Sequence, residues 1–313
     1  MKRIVLCFVL LSLLAVLLSF VTLVSGPVDV PWDALLSSQI FWELRLPRVV
    51  AALLSGVALS VAGLSLQTVF RNPLAGPFVL GISSGASFAV ALSMLAGFSF
   101  GHFGTLGAAA AGSLAVTSLV LGISCRFRNN TVLLVAGLLI GYFIDACISL
   151  LISWSDAESL RVYVSWGMGS FGRLTCNGIG VFAVAVFVGL VLIGVSVRYL
   201  NGARLGDEFA RGLGIRVPLY KKLVLLGASV LAASVTAFCG PVAFIGIAVP
   251  HLAYLMFRTS NHRVLLPASA LCGAVIALLA GLFPTYPLNA VLSLVGVPVI
   301  LWVLVRHSAK EEL

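Results

Sequence analysis

Residues Arg45 to Ser87 read RLPRVVAALLSGVALSVAGLSLQTVFRNPLAGPFVLGISSGAS. Two basic residues, Arg45 and Arg48, stand at the mouth of an apolar segment rich in Gly, Ala and Ser. That segment ends at Arg71-Asn72-Pro73-Leu74-Ala75-Gly76-Pro77, where two prolines and a glycine stop a helix. A second apolar segment follows at once, with small residues at Gly81, Ser84, Gly85 and Ser87. The pattern predicts two membrane helices that pack closely, with charges held at their water-facing ends.

The rest of the chain supports a membrane setting. Of 313 residues, 61% are hydrophobic and 9% charged, whereas a soluble domain carries about 25% charged residues. The apolar runs are continuous rather than alternating, which predicts helices and excludes a barrel. Runs long enough to cross a bilayer fall at 4–24, 49–69, 78–97, 104–124, 132–153, 178–197, 223–239, 242–257, 264–283 and 288–305. The expected fold is therefore an all-α polytopic membrane protein of about ten transmembrane helices, one permease-like domain over 1–313. The first run, behind Lys2-Arg3, is longer than the roughly 7–15 apolar residues of a signal core and is expected to be a retained helix.

Charge sets the orientation. With ten spans and both termini in the cytoplasm, the cytoplasmic pieces hold Lys2, Arg3, Arg71, Arg126, Arg128, Arg198, Arg204, Arg211, Arg216, Lys221, Lys222, Arg258, Arg263, Arg306 and Lys310, 15 of the 19 basic residues. Only Arg45, Arg48, Arg161 and Arg173 fall outside. Such a bias obeys the positive-inside rule and gives the net charge of +9 a membrane explanation rather than a nucleic-acid one. A weak echo links Gly76-Pro77 and Gly240-Pro241, each opening an apolar run, on opposite faces. Corresponding breaks of this kind suit an inverted repeat with halves about 49–153 and 223–305. The spacings Gly81/Gly85 and Gly137/Gly141 offer close-packing faces.

Catalytic signatures are missing. There is no Gly-Lys dipeptide and hence no phosphate-binding loop, no HExxH and no GxSxG. The four histidines are scattered, so a structural role for His251 is expected, and the six cysteines form no CxxC pair. The spans hold no Lys or Arg and one carboxylate, Asp145. An ion-driven carrier would often hold intramembrane acids or bases, so the energy for transport is expected to come from another subunit. The cytoplasmic loop about 198–222 carries the best coupling candidate, Leu205 to Ile215. It reads as a short amphipathic helix with Asp207 and Glu208 in its first turn, where the helix dipole favours negative charge, and with Gly212 and Gly214 at its end. A plain solvated connector is the other reading.

Motifs along about 260 residues resemble those of one family, the FecCD-type permeases of bacterial importers for iron-siderophores, haem and cobalamin. They include Arg45-Leu46-Pro47-Arg48, Gln67, Arg71-Asn72-Pro73-Leu74-Ala75, Trp166, Phe244-Ile245-Gly246, Val249-Pro250-His251, His262-Arg263 and Leu266-Pro267. The loop pattern LGxxxAxxLG is matched by Leu205, Gly206, Ala210, Leu213 and Gly214. The resemblance implies a type II ABC importer permease in the bacterial inner membrane. It implies a homo- or heterodimer with a second permease subunit, cytoplasmic ATPase subunits that use ATP and Mg, and an extracytoplasmic substrate-binding protein. The chain itself would bind no cofactor and catalyse no reaction. The competing class is a secondary transporter or channel that works without an ATPase.

By that resemblance the loop residues Leu205, Gly206, Asp207, Glu208, Ala210, Arg211, Leu213 and Gly214 couple to the ATPase. Arg45 and Arg48 match outer arginines that pair with the binding protein; lipid-headgroup anchoring or pairing with Glu43 are the alternatives. One departure is plain. Where relatives carry acidic and basic residues after the ninth span, this chain reads Ala280-Gly281-Leu282-Phe283-Pro284-Thr285-Tyr286-Pro287-Leu288, so a further docking contact is absent or falls to Arg161 or Arg173. Asn130 and Thr131 match small polar residues that narrow the inner end of the pathway, and either fits an N-cap equally well. Asp145 stands near the middle of the fifth run, where a carboxylate costs about 2.5–3.5 kcal/mol on insertion scales. It either lines the pathway, meeting water or a cationic part of the substrate, or makes a structural hydrogen bond between helices.

Overall fold

The computed structural model describes residues 2–26, 38–78, 80–98, 104–126, 130–294, 296–298 and 301, and these are helical throughout apart from turns. The helices are α1 (Lys2–Val24), α2 (Leu46–Phe70, entered through a π-turn at Phe41–Arg45), α3 (Ile82–Leu95), α4 (Gly104–Arg126), α5 (Asn130–Trp154) and α6 (Ala157–Gly167). They continue with α7 (Cys176–Val195), α8 (Val197–Ala203), α9 (Asp207–Gly212), α10 (Val217–Cys239), α11 (Ile245–Phe257) and α12 (His262–Gly281). A last apolar helix, α13, covers Leu288–Pro298.

Helix α2 is the centre, with α7, α10, α11 and α12 packed around it. Small residues permit this. A Cβ at Gly56 would overlap the Gly273 carbonyl of α12, and one at Gly63 would overlap the Gly246 carbonyl of α11. Backbones that close gain dispersion contacts along their length, the main attraction between helices when lipid is as apolar as the side chains. The Gly81/Gly85 spacing works on two neighbours. Gly81 sits against Gly137 and Gly141 of α5, and Gly85 against Gly112 of α4. On the outside of the bundle, α1 lies against α11 and α12, with Phe8 and Phe257 ring centroids 4.7 Å apart.

Both predicted breaks are present. α2 ends at Arg71 in the left-handed region (φ 49°), and the Asn72 amide donates to the Gln67 carbonyl at 3.1 Å. The Asn72 side chain then accepts from the Leu74 amide at 2.9 Å, the local bond that makes Asn a turn former. Gly81, at φ 70°, starts α3. The second break runs from Gly240 (φ 79°) to Phe244 (φ 67°) and starts α11. The breaks face each other inside the bundle: the Gln67 amide donates to the Ile247 carbonyl at 3.1 Å, and Gly76 lies against the Ile247 side chain.

These turns shorten two of the expected spans. Among the described residues seven helices are long and apolar enough to cross a bilayer, while α3, α11 and α13 are shorter. The run expected from 78 begins at Ile82 because Phe78–Gly81 is a turn closed by the Gly81 amide on the Phe78 carbonyl at 3.1 Å. The loop expected over 198–222 is largely helical. α8 and α9 occupy its middle, and α10 starts at Val217, with a proline in its first turn. Arg128, Arg306 and Lys310, and the acidic pair Asp29 and Asp33, lie outside the described residues.

Candidate functional site

A groove runs along one face of α5. Leu138, Gly141, Tyr142, Asp145, Ile148, Ser149 and Ile152 recur at helical spacing and line a cavity of about 620 Å³. From 138 to 152 such a stripe extends roughly 21 Å at 1.5 Å per residue. The facing wall combines Ser83, Ser84 and Ser87 of α3, Tyr163 and Gly167 of α6, the Pro241–Ala243 segment and Asn289. Asp145 is exposed in this groove. Its backbone carbonyl accepts from the Ser149 hydroxyl at 2.9 Å. On α6, burial first and then the Asp145 carboxylate push the Tyr163 phenol up to about 12.

Asn289 holds the groove's outer wall together. Its side-chain oxygen accepts from the Ala243 amide at 3.0 Å, and its side-chain nitrogen donates to the Pro241 and Gly167 carbonyls at 2.8 and 3.3 Å. Its own amide donates to the Met168 carbonyl at 3.2 Å. One side chain thus fixes the strained second break, the end of α6 and the start of α13. Sequence reading passed over Asn289. The available signal was a lone amide in an apolar run, which must find partners once buried.

The predicted coupling loop forms a two-helix unit. Gly206 (φ 113°) lets the chain turn from α8 into α9, and Gly214 (φ 77°) lets it leave. Ala210 is fully buried against Gly202 of α8, where a Cβ would lie 3.3 Å from the Ala210 Cβ. The buried Tyr199 hydroxyl donates to Asp207 Oδ1 at 3.4 Å. Burial first, then the Asp207 carboxylate, raise the Tyr199 phenol above its ordinary range. Asp207 and Glu208 do occupy the first turn of α9. The helix is shorter than the 205–215 expected; on it and at its two ends Leu205, Phe209 and Leu213 stand 69%, 48% and 60% exposed, beside exposed Glu208 and Arg211.

A hydrogen-bond chain ties this unit to the bundle. The Asn261 side chain caps α12 by accepting from the Arg263 amide at 3.0 Å, so it also accepts from Asn201 Nδ2 at 3.2 Å. Asn201 Oδ1 therefore points at His262, accepting from its amide at 2.8 Å and from Nδ1 at 2.9 Å. This pattern assigns a proton to Nδ1 and sets Nε2 against the Thr68 hydroxyl of α2 at 2.8 Å. Arg204 adds a bond to the Ser260 carbonyl at 2.8 Å. Thr68, Asn201 and His262 come from α2, α8 and α12, a juxtaposition no local pattern announces. His251 is held in turn by the Pro73 carbonyl at 3.0 Å.

The outer arginines part company. Arg45, expected at the surface, is 3% exposed. Its guanidinium donates to the Leu23 carbonyl at 3.0 Å and to the Val24 carbonyl, satisfying the C-terminal carbonyls of α1. The side chain folds back twenty-odd residues to anchor α1. Arg48 is half-buried beside Gly172. Arg173 donates to the Trp166 carbonyl at 2.9 Å and to the Ser165 carbonyl, closing the end of α6. Arg161 is exposed beside Glu158 at 3.7 Å. Thr131 is exposed in the first turn of α5, which starts at Asn130. The side chain of Asn130 lies outside the described residues.

Known proteins resemble this chain in sequence and in overall fold. The FecCD transport family model matches residues 10–306. The hemin transport system permease HmuU of Yersinia pestis is 35% identical over 286 residues, 88% of this chain and 85% of that protein. The vitamin B12 import system permease BtuC of Salmonella typhi is 33% identical over 311 residues, 95% and 94% of the two chains. A solved metal-chelate type ABC transporter in an inward-facing conformation superposes with a TM-score of 0.86 at 30% identity, over 96% of this chain and 99% of that one. PsaBC of Streptococcus pneumoniae, at 16% identity and a TM-score of 0.55, shares the fold alone.

Proposed function

Because this chain belongs to the FecCD transport family, we propose that it carries a metal chelate along the α5 groove, an iron-siderophore complex first among the candidates and haem or cobalamin next. The chain is the membrane-spanning permease subunit of an ATP-binding-cassette importer, a multi-pass inner-membrane protein and not an enzyme. Its partners are a second permease, an ATPase that uses ATP and Mg, and a substrate-binding protein.

The observation that carries the mechanism is the apolar ridge of Leu205, Phe209 and Leu213. Large apolar side chains held out from a water-facing helix pair suit a protein partner. Ala210 packed on Gly202 makes α8 and α9 move as one piece, and the Asn201–His262–Thr68 chain carries that movement to α2 and α12. Coupling through Leu205, Gly206, Asp207, Glu208, Ala210, Arg211, Leu213 and Gly214 follows: the ridge engages the ATPase, the glycines shape the turn, and Asp207 pins Tyr199. Ten membrane helices are part of the same proposal, with α3, α11 and α13 completing the count as short spans. The paired breaks before α3 and α11 support the inverted repeat over about 49–153 and 223–305. The excess of basic residues on one side supports cytoplasmic termini. Arg48 remains the candidate contact for the binding protein, and Asn130 and Thr131 the inner gate.

The test is the double variant Phe209→Asp with Leu213→Asp, purified with the ATPase. Loss of a ridge of this kind corresponds to about 2 kcal/mol or more, roughly 30-fold weaker association, with substrate uptake falling alongside. Unchanged copurification and uptake would show that the ridge is not the ATPase contact.

A further inference from the structure

We infer that the chelate crosses the groove carrying positive charge, and that Asp145 is the side chain that recognises that charge. This rests on the groove being the pathway and goes on to name the cargo's electrostatic class.

Three observations carry it. First, Asp145 lies at mid-helix on α5 and is exposed in this protomer, although no carboxylate is stable against lipid at that depth. Water, cargo or the second permease subunit must therefore cover it. Second, hydroxyls stand among the apolar side chains of the walls around it, from Ser84, Ser87, Tyr142 and Tyr163. Third, among the described lining residues there is no Lys, Arg or His to neutralise it. The start of α3 contributes a partial positive end at the groove's edge, about half a charge, which does not cancel a full carboxylate. A narrow cleft with one sign of charge and low-dielectric walls concentrates ions of the opposite sign. An anionic chelate, such as one with free carboxylates, meets repulsion halfway across, whereas one bearing an ammonium group or a net positive charge meets its partner there.

The experiment uses the full transporter in proteoliposomes, with Cys147 and Cys176 replaced by alanine and Ser149→Cys as reporter one turn from Asp145. Rates of modification by a cationic (trimethylammonium-ethyl) and an anionic (sulfonatoethyl) methanethiosulfonate are compared with those of a free thiol. The cationic reagent is expected to be favoured by about 10-fold or more. Asp145→Asn should remove the preference and Asp145→Glu retain it, which separates charge from local collapse. Ferric ferrioxamine B, a cationic chelate, should protect the reporter; haemin, with its propionates, should not. Modification without charge preference, a preference that survives Asp145→Asn, or protection by haemin or by neither chelate would each overturn the inference while leaving the pathway standing. A reporter that is not modified at all would sink the pathway reading and this inference with it.

Discussion

Helices α2 and α5 are both 25 residues long, and either could pass for the core of the protein. In the structure 78% of the most apolar stretch of α2 is buried within the protomer, against 17% for α5. Hydropathy does not separate them, because in lipid it does not choose which helix goes inside. Side-chain size does. α2 carries Gly56 and Gly63 where α12 and α11 cross it, and its alanines and serines let further helices approach on the remaining sides. α5 keeps bulky Leu, Tyr and Phe outward and offers close approach only at Gly137 and Gly141, against the start of α3. The chain thus divides into a tightly packed keel and a wall whose polar stripe is left open.

Three changes would break or sharpen this division. The largest effect belongs to Gly63→Leu. Its side chain would have to enter the space of the Gly246 backbone, and overpacking of this kind costs about 3 kcal/mol or more where backbone cannot yield. Monodisperse protein after detergent extraction should all but disappear; normal yield would show that α2 is no keel. A smaller effect is expected from Asn201→Ala, which strands the His262 amide and Nδ1. Leaving buried donors unpaired costs about 1–3 kcal/mol, so thermal stability should drop. ATP hydrolysed per substrate imported should rise, because α8 and α9 lose their tie to α2 and α12. The smallest belongs to the wall. Phe143 on α5 is 71% exposed, and Phe143→Ala should shift protomer stability by no more than about 0.5 kcal/mol. A large loss of thermal stability there would mean that α5 is packed as firmly as α2.

The local features were legible before the structure. Proline and glycine marked both breaks, because a ring without an amide and a residue free at positive φ act where they stand. The short helix α9 was legible from Asp207, Glu208 and the flanking glycines for a similar reason. The two arginines mark the limit. Arg45 and Arg48 share a motif and a helix mouth, yet one is buried against the end of α1 and the other is half-buried beside Gly172. Nothing within the motif encodes that difference, since Arg45's partners are carbonyls more than twenty residues away.

By itself the sequence determined the class of the molecule: helices in a membrane and two breaks. Those properties follow from composition and from bonds between near neighbours. Only the tertiary structure decided which helix is the keel, that Asn289 clamps the second break, that His262 joins Asn201 to Thr68, and that Asp145 opens into a groove. Each of these depends on bringing together backbones far apart in the chain. In a bilayer that outcome is set by the fit of small surfaces, and hydrophobicity along the sequence carries little of that information.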